Sequence, residues 1–550
     1  MHAYWSRRKL LAASAALAVP ALLRPRLLRA QNAPPTTYTL TTAPYVEIET
    51  ASGRLRGGHS RGALAFKGIP YAGSVSGVAR FKEAPPSQPW TGVRDATRLG
   101  PPAMQGPGTT YGENEPPYSE NCLVLNVWTP AVHDGRRRPV IVYSHGGGYT
   151  TGSGGSKDVD GAHLAAAYDV VIVTTNHRLG VFGYLYLGEL GGEEYATSGN
   201  QGMLDIVAAL RWVKANIEAF GGDPGNVTIQ GESGGGGKVG TLLAMPAAHG
   251  LFHKAIIESG SALRRVSKEH AAENARKVLQ GLDIGAHQLH KLVDVPAQDL
   301  ARNQAQIERH EDATLNFGQS SPRPNIGPVV EGHFLAQDPF DPVASPLAAQ
   351  IPLLVGFNHD EATFTHKEHP EVFRLDDAKL TSEALARLGE NAGRILAIYK
   401  KTFPNATPSE LYISMATARW MGNDTITLAE RKSAQPAPVY VYRYDYPSNT
   451  PIAGTGWTLR AGHATEIAMK FLNYDIPALE GNGPGVAAAS KNMSAFWTSF
   501  ARHGHPEVQG LPSWPRYELE HRSTMLINSE CQVVNDPDSP IRQLWESLRS

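Results

Sequence analysis

The stretch Val227–Met245 constrains this chain more than any other. Val227-Thr228-Ile229-Gln230 reads as a buried strand and runs without a spacer into Gly231-Glu232-Ser233-Gly234-Gly235-Gly236-Gly237-Lys238. Val239–Met245 then continues as a helix. A strand that turns straight into a helix at a serine needs glycine on both sides, because the turn leaves no room for side chains there. The same turn sets the Ser233 hydroxyl at the sheet edge beside a helix N-terminus, where developing negative charge is stabilised. Glycine occurs 55 times in 550 residues, so Gly-x-Ser-x-Gly alone says little and the flanking strand and helix carry the weight. A phosphate loop is excluded. Ending at Lys238 it needs glycine at 232 and Ser or Thr at 239, where the chain has Glu232 and Val239, and a carboxylate facing phosphate has the wrong sign.

Other segments set the frame for this elbow. Val140–Tyr143, Val170–Val173, Ala255–Ile257, Pro352–Val355, Val439–Tyr442 and Met525–Ile527 are short and continuously apolar, as strands buried on both faces are. Met203, Ile206, Leu210, Val213, Ile217 and Phe220 step by three and four, one face of a helix, which Gly221-Gly222 and Pro224 stop. Strands alternating with helices predict an α/β fold: a large, mostly parallel sheet covered by helices. Two polar, helix-rich stretches without buried strands, around 264–328 and 364–428, read as insertions over the active site. Candidate helices in the first are Lys268–Leu279, His287–Leu292 and Gln304–Asn316. Walls of the substrate pocket are expected from 106–119, 266–328 and 364–421.

Ser144-His145-Gly146-Gly147-Gly148-Tyr149 directly follows the strand ending at Tyr143. Backbone N–H groups of consecutive glycines can approach an oxygen atom closely, so those of Gly147 and Gly148, with Gly234, are the expected oxyanion hole.

Further motifs surround these. Glu120-Asn121-Cys122-Leu123, Leu125-Asn126-Val127-Trp128, Asn200-Gln201-Gly202, Ala209-Leu210-Arg211-Trp212-Val213 and Phe220-Gly221-Gly222-Asp223-Pro224 accompany the elbow. Together they resemble the type-B carboxylesterase family, the carboxylesterase–cholinesterase branch of the α/β-hydrolase fold, from about residue 46 to 550. The resemblance implies a serine carboxylic-ester hydrolase. It places the triad acid at Glu361, not Asp360, within Gly356–Glu361, and the base at His463 within Ala461–Ile467. The chain holds 20 histidines, and only the resemblance singles out His463. The implied order Ser233, Glu361, His463 is the one this fold uses. Glu232 is expected to shape the field at Ser233 from behind, and the chemistry calls for no metal and no organic cofactor. An amidase or transacylase would use the same residues. A non-enzymatic binding protein of this fold is the contrasting class, against which stand Ser233, Glu361, His463 and the glycine run. Tyr111 and Tyr118 but no tryptophan occupy the loop between Pro101 and Cys122, which speaks against a choline-type cation platform.

The chain departs from the family at three points. Ala362 stands where glycine is usual after the acid. Ala103 replaces the usual partner of the Cys122 cysteine, so Cys122 is expected as a free thiol unless it reaches Cys531. Lys238 occupies a position where many relatives carry a small residue. A cation in the first turns of a helix is disfavoured. It is expected either to find a structural partner or to point into the pocket and select acidic substrates, the former being the better-supported reading.

The N-terminus reads as a leader. Ser6-Arg7-Arg8 precedes an apolar run from Leu10 to Leu23, too short for a spanning helix of about 20 residues. It resembles a bacterial twin-arginine signal over residues 1–30, which leaves residues 31–550 as a single catalytic domain, periplasmic or secreted. The whole chain carries 51 cationic and 52 acidic side chains, and the leader removes six of the cations and none of the acids. A near-neutral to mildly acidic protein of this kind offers no basic surface for nucleic acid. A small-molecule ester is the expected partner, with no stable membrane insertion once the leader is gone.

Overall fold

The computed structural model describes residues 44–106, 115–308, 325–476 and 479–548. The leader at 1–30 lies outside them. A thirteen-stranded sheet organises the described residues. Its strands are β1 (Tyr45–Thr50), β2 (Gly53–Ser60), β3 (Ala63–Pro70), β4 (Val93–Asp95), β5 (Val124–Thr129), β6 (Arg138–Ser144), β7 (Val171–Thr175), β8 (Gly222–Glu232), β9 (Lys254–Glu258), β10 (Leu353–Asn358), β11 (Val439–Tyr444), β12 (Ser523–Ile527) and β13 (Gln532–Asn535). The order in space is β1-β2-β3-β5-β7-β6-β8-β9-β10-β11-β12-β13, with β4 beside β2. Strands β7 to β12 in that order are mutually parallel. β1, β2, β3 and β5 form an antiparallel flank, and β13 closes the other edge.

The fold class read from the sequence holds, and each of the seven apolar runs lies in a parallel strand. β6, β7 and β9 are buried at every residue, because helices cover both faces of a parallel sheet. On one face Val140, Val142, Val171, Val173, Val227 and Ile229 pack on Met203, Ile206, Leu210 and Val213 of α1 (Gln201–Asn216). On the other, Ile256, Leu354, Tyr442 and Met525 pack on Met493, Phe496, Trp497 and Phe500 of a long C-terminal helix, Val486–His503. The last apolar residues of the periodic run, Ile217–Phe220, tighten into a 3₁₀ turn, and Gly221 ends it in the left-handed region at φ 74°.

Continuous apolar runs gave no sign of β1 and β2. Their outward positions are charged, and Arg54 and Arg56 bridge to Glu49 and Glu47 across the pair. The 264–328 stretch supplies helices Lys268–Gly281 and Ala297–Glu308 and a 3₁₀ segment Ala286–Val293. The rest of the candidate Gln304–Asn316 lies outside the described residues. Contrary to the reading of this stretch as strand-free, Val266–Ser267 pairs with Val329–Val330 in a two-residue ladder. The second stretch supplies helices Asp377–Leu388, Ala392–Thr402, Pro408–Thr417 and Asn423–Ser433, the last two joined by a π-helical turn at Ala418–Gly422. No helix of the described residues is long and apolar enough to cross a membrane.

Ser233 joins β8 to α2 (Gly234–Leu242) with φ 56° and ψ −124°, a backbone region that costs a non-glycine residue about 1–3 kcal/mol. A side chain on Gly235 would strike the Ser144 carbonyl, and one on Gly231 would strike Gly235. Gly235→Ala should therefore destabilise the protein by about 1–3 kcal/mol, as overpacking does. Gly393→Ala, in a helix with nothing within 4 Å, should be neutral or slightly stabilising. Thermal unfolding of the two variants checks this, and equal Tm values would refute the tight elbow.

Candidate active site

Two strand ends and a loop bring the candidate groups together. β8 ends at Glu232 and presents Ser233, whose N–H donates to the Glu258 carbonyl at 2.8 Å. β10 ends at Asn358, three residues before Glu361. After β11 the chain returns through a loop that carries His463. The structure brings the three together: Ser233 Oγ lies 2.9 Å from His463 Nε2, and His463 Nδ1 lies 2.6 Å from Glu361 Oε2. The tautomer that satisfies both contacts carries its proton on Nδ1, donates it to Glu361 and accepts the Ser233 hydroxyl at Nε2. Glu361 is fully buried. Its second oxygen accepts the Asn358 N–H at 2.7 Å, and its carbonyl accepts the His463 N–H at 3.2 Å. Asp360 pairs instead with His359 at 3.1 Å.

Glu232 lies behind the serine, with Oε1 3.4 Å from His463 Nε2 and Oε2 against Gly146, where a Cβ would sit 2.8 Å away. Burial raises the Glu232 carboxyl well above the usual carboxylate range, with the nearby His463 opposing the shift. Burial pulls His463 down, but the charges of Glu232 and Glu361 outweigh it and the net displacement is upward. The protein thus stabilises an imidazolium at this position.

The glycine loop and the elbow meet backbone to backbone: a side chain on Gly234 would strike the Gly148 carbonyl. Gly147 and Gly148 both adopt positive φ, 81° and 62°. A cavity of about 300 Å³ opens over Ser233 and His463, with Gly146 and Gly147 in its wall. Of the expected walls, 364–421 contributes Phe364, Thr365 and Trp420, whereas the described residues of 106–119 and 266–328 contribute none. The segment from Gly152 to Val159 and the chain after His463 take their place, because these loops leave the strand ends nearest the serine.

Several functional neighbours escaped sequence reasoning. The Trp420 and Phe364 rings lie 4.6 and 5.9 Å from the His463 ring. Trp420 sits in the π turn, which no local periodicity announces. Beneath the triad, Asn358 donates to Glu466 at 2.6 Å, Lys470 donates to Glu258 at 2.7 Å, and Trp497 donates to the same carboxylate at 2.6 Å. Glu466 stands three residues after His463 in the motif that identified the base, the one signal available for it. Lys238 does not face the cavity. Its side chain is wholly buried and donates to the His145 carbonyl at 3.0 Å. Asp158 and Glu232 line the cavity and no Lys or Arg does so among the described residues, so the reading of Lys238 as a reader of acidic substrates has no geometric support. Cys122 and Cys531 are both free thiols, Cys122 in the core.

A mostly parallel sheet that delivers a serine from one strand end and an acid from a later one is the α/β-hydrolase architecture. The sequence profile of the Carboxylesterase family matches residues 43–545. The para-nitrobenzyl esterase of Bacillus subtilis is 36% identical over 506 residues, covering 90% of this chain and 97% of its own. A liver carboxylesterase of Sus scrofa is 33% identical, covering 86% and 88%. A crystal structure of a Geobacillus stearothermophilus carboxylesterase superposes with a TM-score of 0.79 at 37% identity, over 91% of this chain and 99% of that one. The chain belongs to the carboxylesterase family, and its reaction is the hydrolysis of carboxylic esters.

The electrostatics yield a test. A base at His463 needs an open Nε2, so if it serves as the base the acid limb of the rate–pH profile is expected to follow its raised pKa, with activity lost as pH falls through it. Glu232→Gln removes a negative charge that holds the imidazolium. The acid limb of kcat/KM is expected to move to lower pH in this variant. A limb left in place, or moved to higher pH, would show that Glu232 does not set the base.

Proposed function

We propose that this carboxylesterase works through an acyl-serine intermediate on Ser233. The observation that carries the reading is the hydrogen-bonded line from Ser233 Oγ through His463 to buried Glu361, at 2.9 and 2.6 Å, facing the cavity. Ser233 Oγ attacks the ester carbonyl carbon while its proton passes to His463 Nε2. Glu361 holds the ring by Nδ1–H and stabilises the imidazolium. The carbonyl oxygen, now negative, is received by the N–H groups of Gly147, Gly148 and Gly234, each such donor being worth about 2.7–4 kcal/mol of barrier. The alcohol leaves with the proton from Nε2. Water, deprotonated by the same nitrogen, then cleaves the acyl-serine and releases the acid.

The para-nitrobenzyl esterase and carboxylesterase names of the relatives favour ester over amide hydrolysis or acyl transfer. Intact hydrogen-bonded geometry disfavours a binding protein that has lost its chemistry. Hydrolysis of a p-nitrophenyl ester series beside Ser233→Ala tests the reading. Activity is expected to fall by about 10⁴–10⁶ in the mutant, as loss of a triad nucleophile does. Retained activity would dismiss the assignment.

We also infer export through the twin-arginine route, supported by Ser6-Arg7-Arg8 and the apolar run Leu10–Leu23. Replacing both arginines by lysine is expected to leave the protein in the cytoplasm of a producing bacterium. Unchanged fractionation would exclude that route.

A further inference from the structure

We propose that Lys238 is a positioning residue for ester hydrolysis, fastening the glycine loop to the helix that carries Ser233 so that the loop N–H groups stay at oxyanion distance. The proposal rests on the acyl-serine reading above.

The argument begins with where the cation lies. Lys238 is five residues beyond Ser233, on α2, and has no exposed surface. Its Nζ donates to the carbonyl of His145 at 3.0 Å and lies 5.8 Å from the ring centre of Tyr149. His145 and Tyr149 are the two ends of the segment whose middle is Gly146-Gly147-Gly148. One amino group therefore reaches the loop at both ends, by a hydrogen bond to the His145 carbonyl and by its approach to the Tyr149 ring.

The loop needs such a fastening. Three successive glycines lose more conformational freedom on ordering than any other residues would, and they bring no side chains to pack. Its other supports are the β6 pairing at Ser144, the 2.9 Å contact of His145 Nδ1 with the Gly146 carbonyl, the Thr151 N–H to the Gly147 carbonyl at 3.0 Å and the Gly180 N–H to the Tyr149 carbonyl at 2.7 Å. Lys238 is the side chain that ties the beginning of the loop to the nucleophile's own helix. An oxyanion hole depends on this spacing, since its donors must stand about 2.7–3.1 Å from the developing charge.

Burying an ammonium costs several kcal/mol unless its surroundings repay it. No carboxylate among the described residues lies within ion-pair distance of Lys238. Burial pulls its pKa down to about 7, against the pull of Glu232. The other titratable groups facing it are His145 and His177, stacked 4.7 Å apart and both held neutral by burial, and the Tyr149 phenol. An apolar side chain of similar length would fill the space without that cost, so packing alone gives no reason for a lysine.

The test compares wild type with Lys238→Met, which keeps the volume and loses the donor, on a short p-nitrophenyl ester. It also measures inhibition by a trifluoromethyl ketone, whose adduct with serine mimics the tetrahedral oxyanion. The expected result is a fall in kcat of about 10–100-fold, less than loss of an entire donor costs, with KM little changed. The ketone should bind more weakly by the same factor. A purely structural lysine would instead lower Tm and leave kcat and ketone affinity of the folded enzyme alone, and that outcome overturns the proposal. Should the methionine variant fail to fold, Lys238→Ser, which leaves room for water at the His145 carbonyl, is read on the same two quantities. Failure of the acyl-serine reading is seen separately, as activity that survives in Ser233→Ala.

Discussion

The left-handed backbone at Ser233 is the constraint from which the rest of this structure follows. A serine held at φ 56° persists only if its surroundings over-determine it, and here three segments do so. The Glu258 carbonyl takes the Ser233 N–H, and the Ser233 carbonyl takes the Gly237 N–H. Gly260 passes so close to the Ser233 carbonyl that a side chain would collide with it, and Gly234 stands equally close to Gly148. The parallel register makes this convergence possible. Ser144 of β6 is level with Gly231 of β8, and Glu232 of β8 is level with Glu258 of β9. A one-residue slip in either pairing would turn the strand faces over and take the glycine loop or the Glu258 carbonyl away from the serine.

Around that turn the buried charges are sorted by sign. Glu232, Glu361 and Glu466, with Glu258 further back, lie around and beneath His463, and Lys470 offsets part of their charge through Glu258 at 2.7 Å and Glu466 at 3.8 Å. The helix N-terminus at Gly234 lies on the side of the glycine loop. The field therefore runs from negative at the imidazole to positive at the loop. In the proposed mechanism ester attack develops charge in the matching sense, cationic on His463 and anionic on the former carbonyl oxygen. Dipoles and charges fixed in this orientation need no reorganisation as the reaction proceeds.

How much of this could be read from the chain depends on the range of the interaction. The elbow and the parallel strands were legible because each is local: an apolar run, a helical period, a glycine on either side of a serine. β1 and β2 carry a different signal, the alternation of Val46-Glu47-Ile48-Glu49 that marks a half-buried strand, which a search for continuous apolar runs does not find. The acid and base were reached only through family resemblance, for nothing in 20 histidines marks His463 except the company it keeps after folding. Trp420, Phe364 and the Glu466–Lys470–Glu258 chain are contacts between residues far apart in sequence. Of the expected pocket walls, 364–421 is found in the cavity and 106–119 and 266–328 are not among the described lining, because helix-rich insertions are conspicuous in a sequence whereas the short 152–159 segment that borders the serine is not.

The corner of the core around Cys122 is held by charge. Ala103 and Cys122 border the same small void in the core. Immediately beside them Arg80 grips both oxygens of Glu120 at 2.6 Å and donates to the carbonyls of Leu292, Val293 and Val295. A disulfide in this place would join 103 to 122 alone. The guanidinium joins the 120 segment to the 264–328 insertion as well, through a planar fork that a lysine does not offer. Burial pushes the Cys122 thiol further from its reactive thiolate form. The integrity of this corner is therefore set by a largely buried ion pair and not by a disulfide.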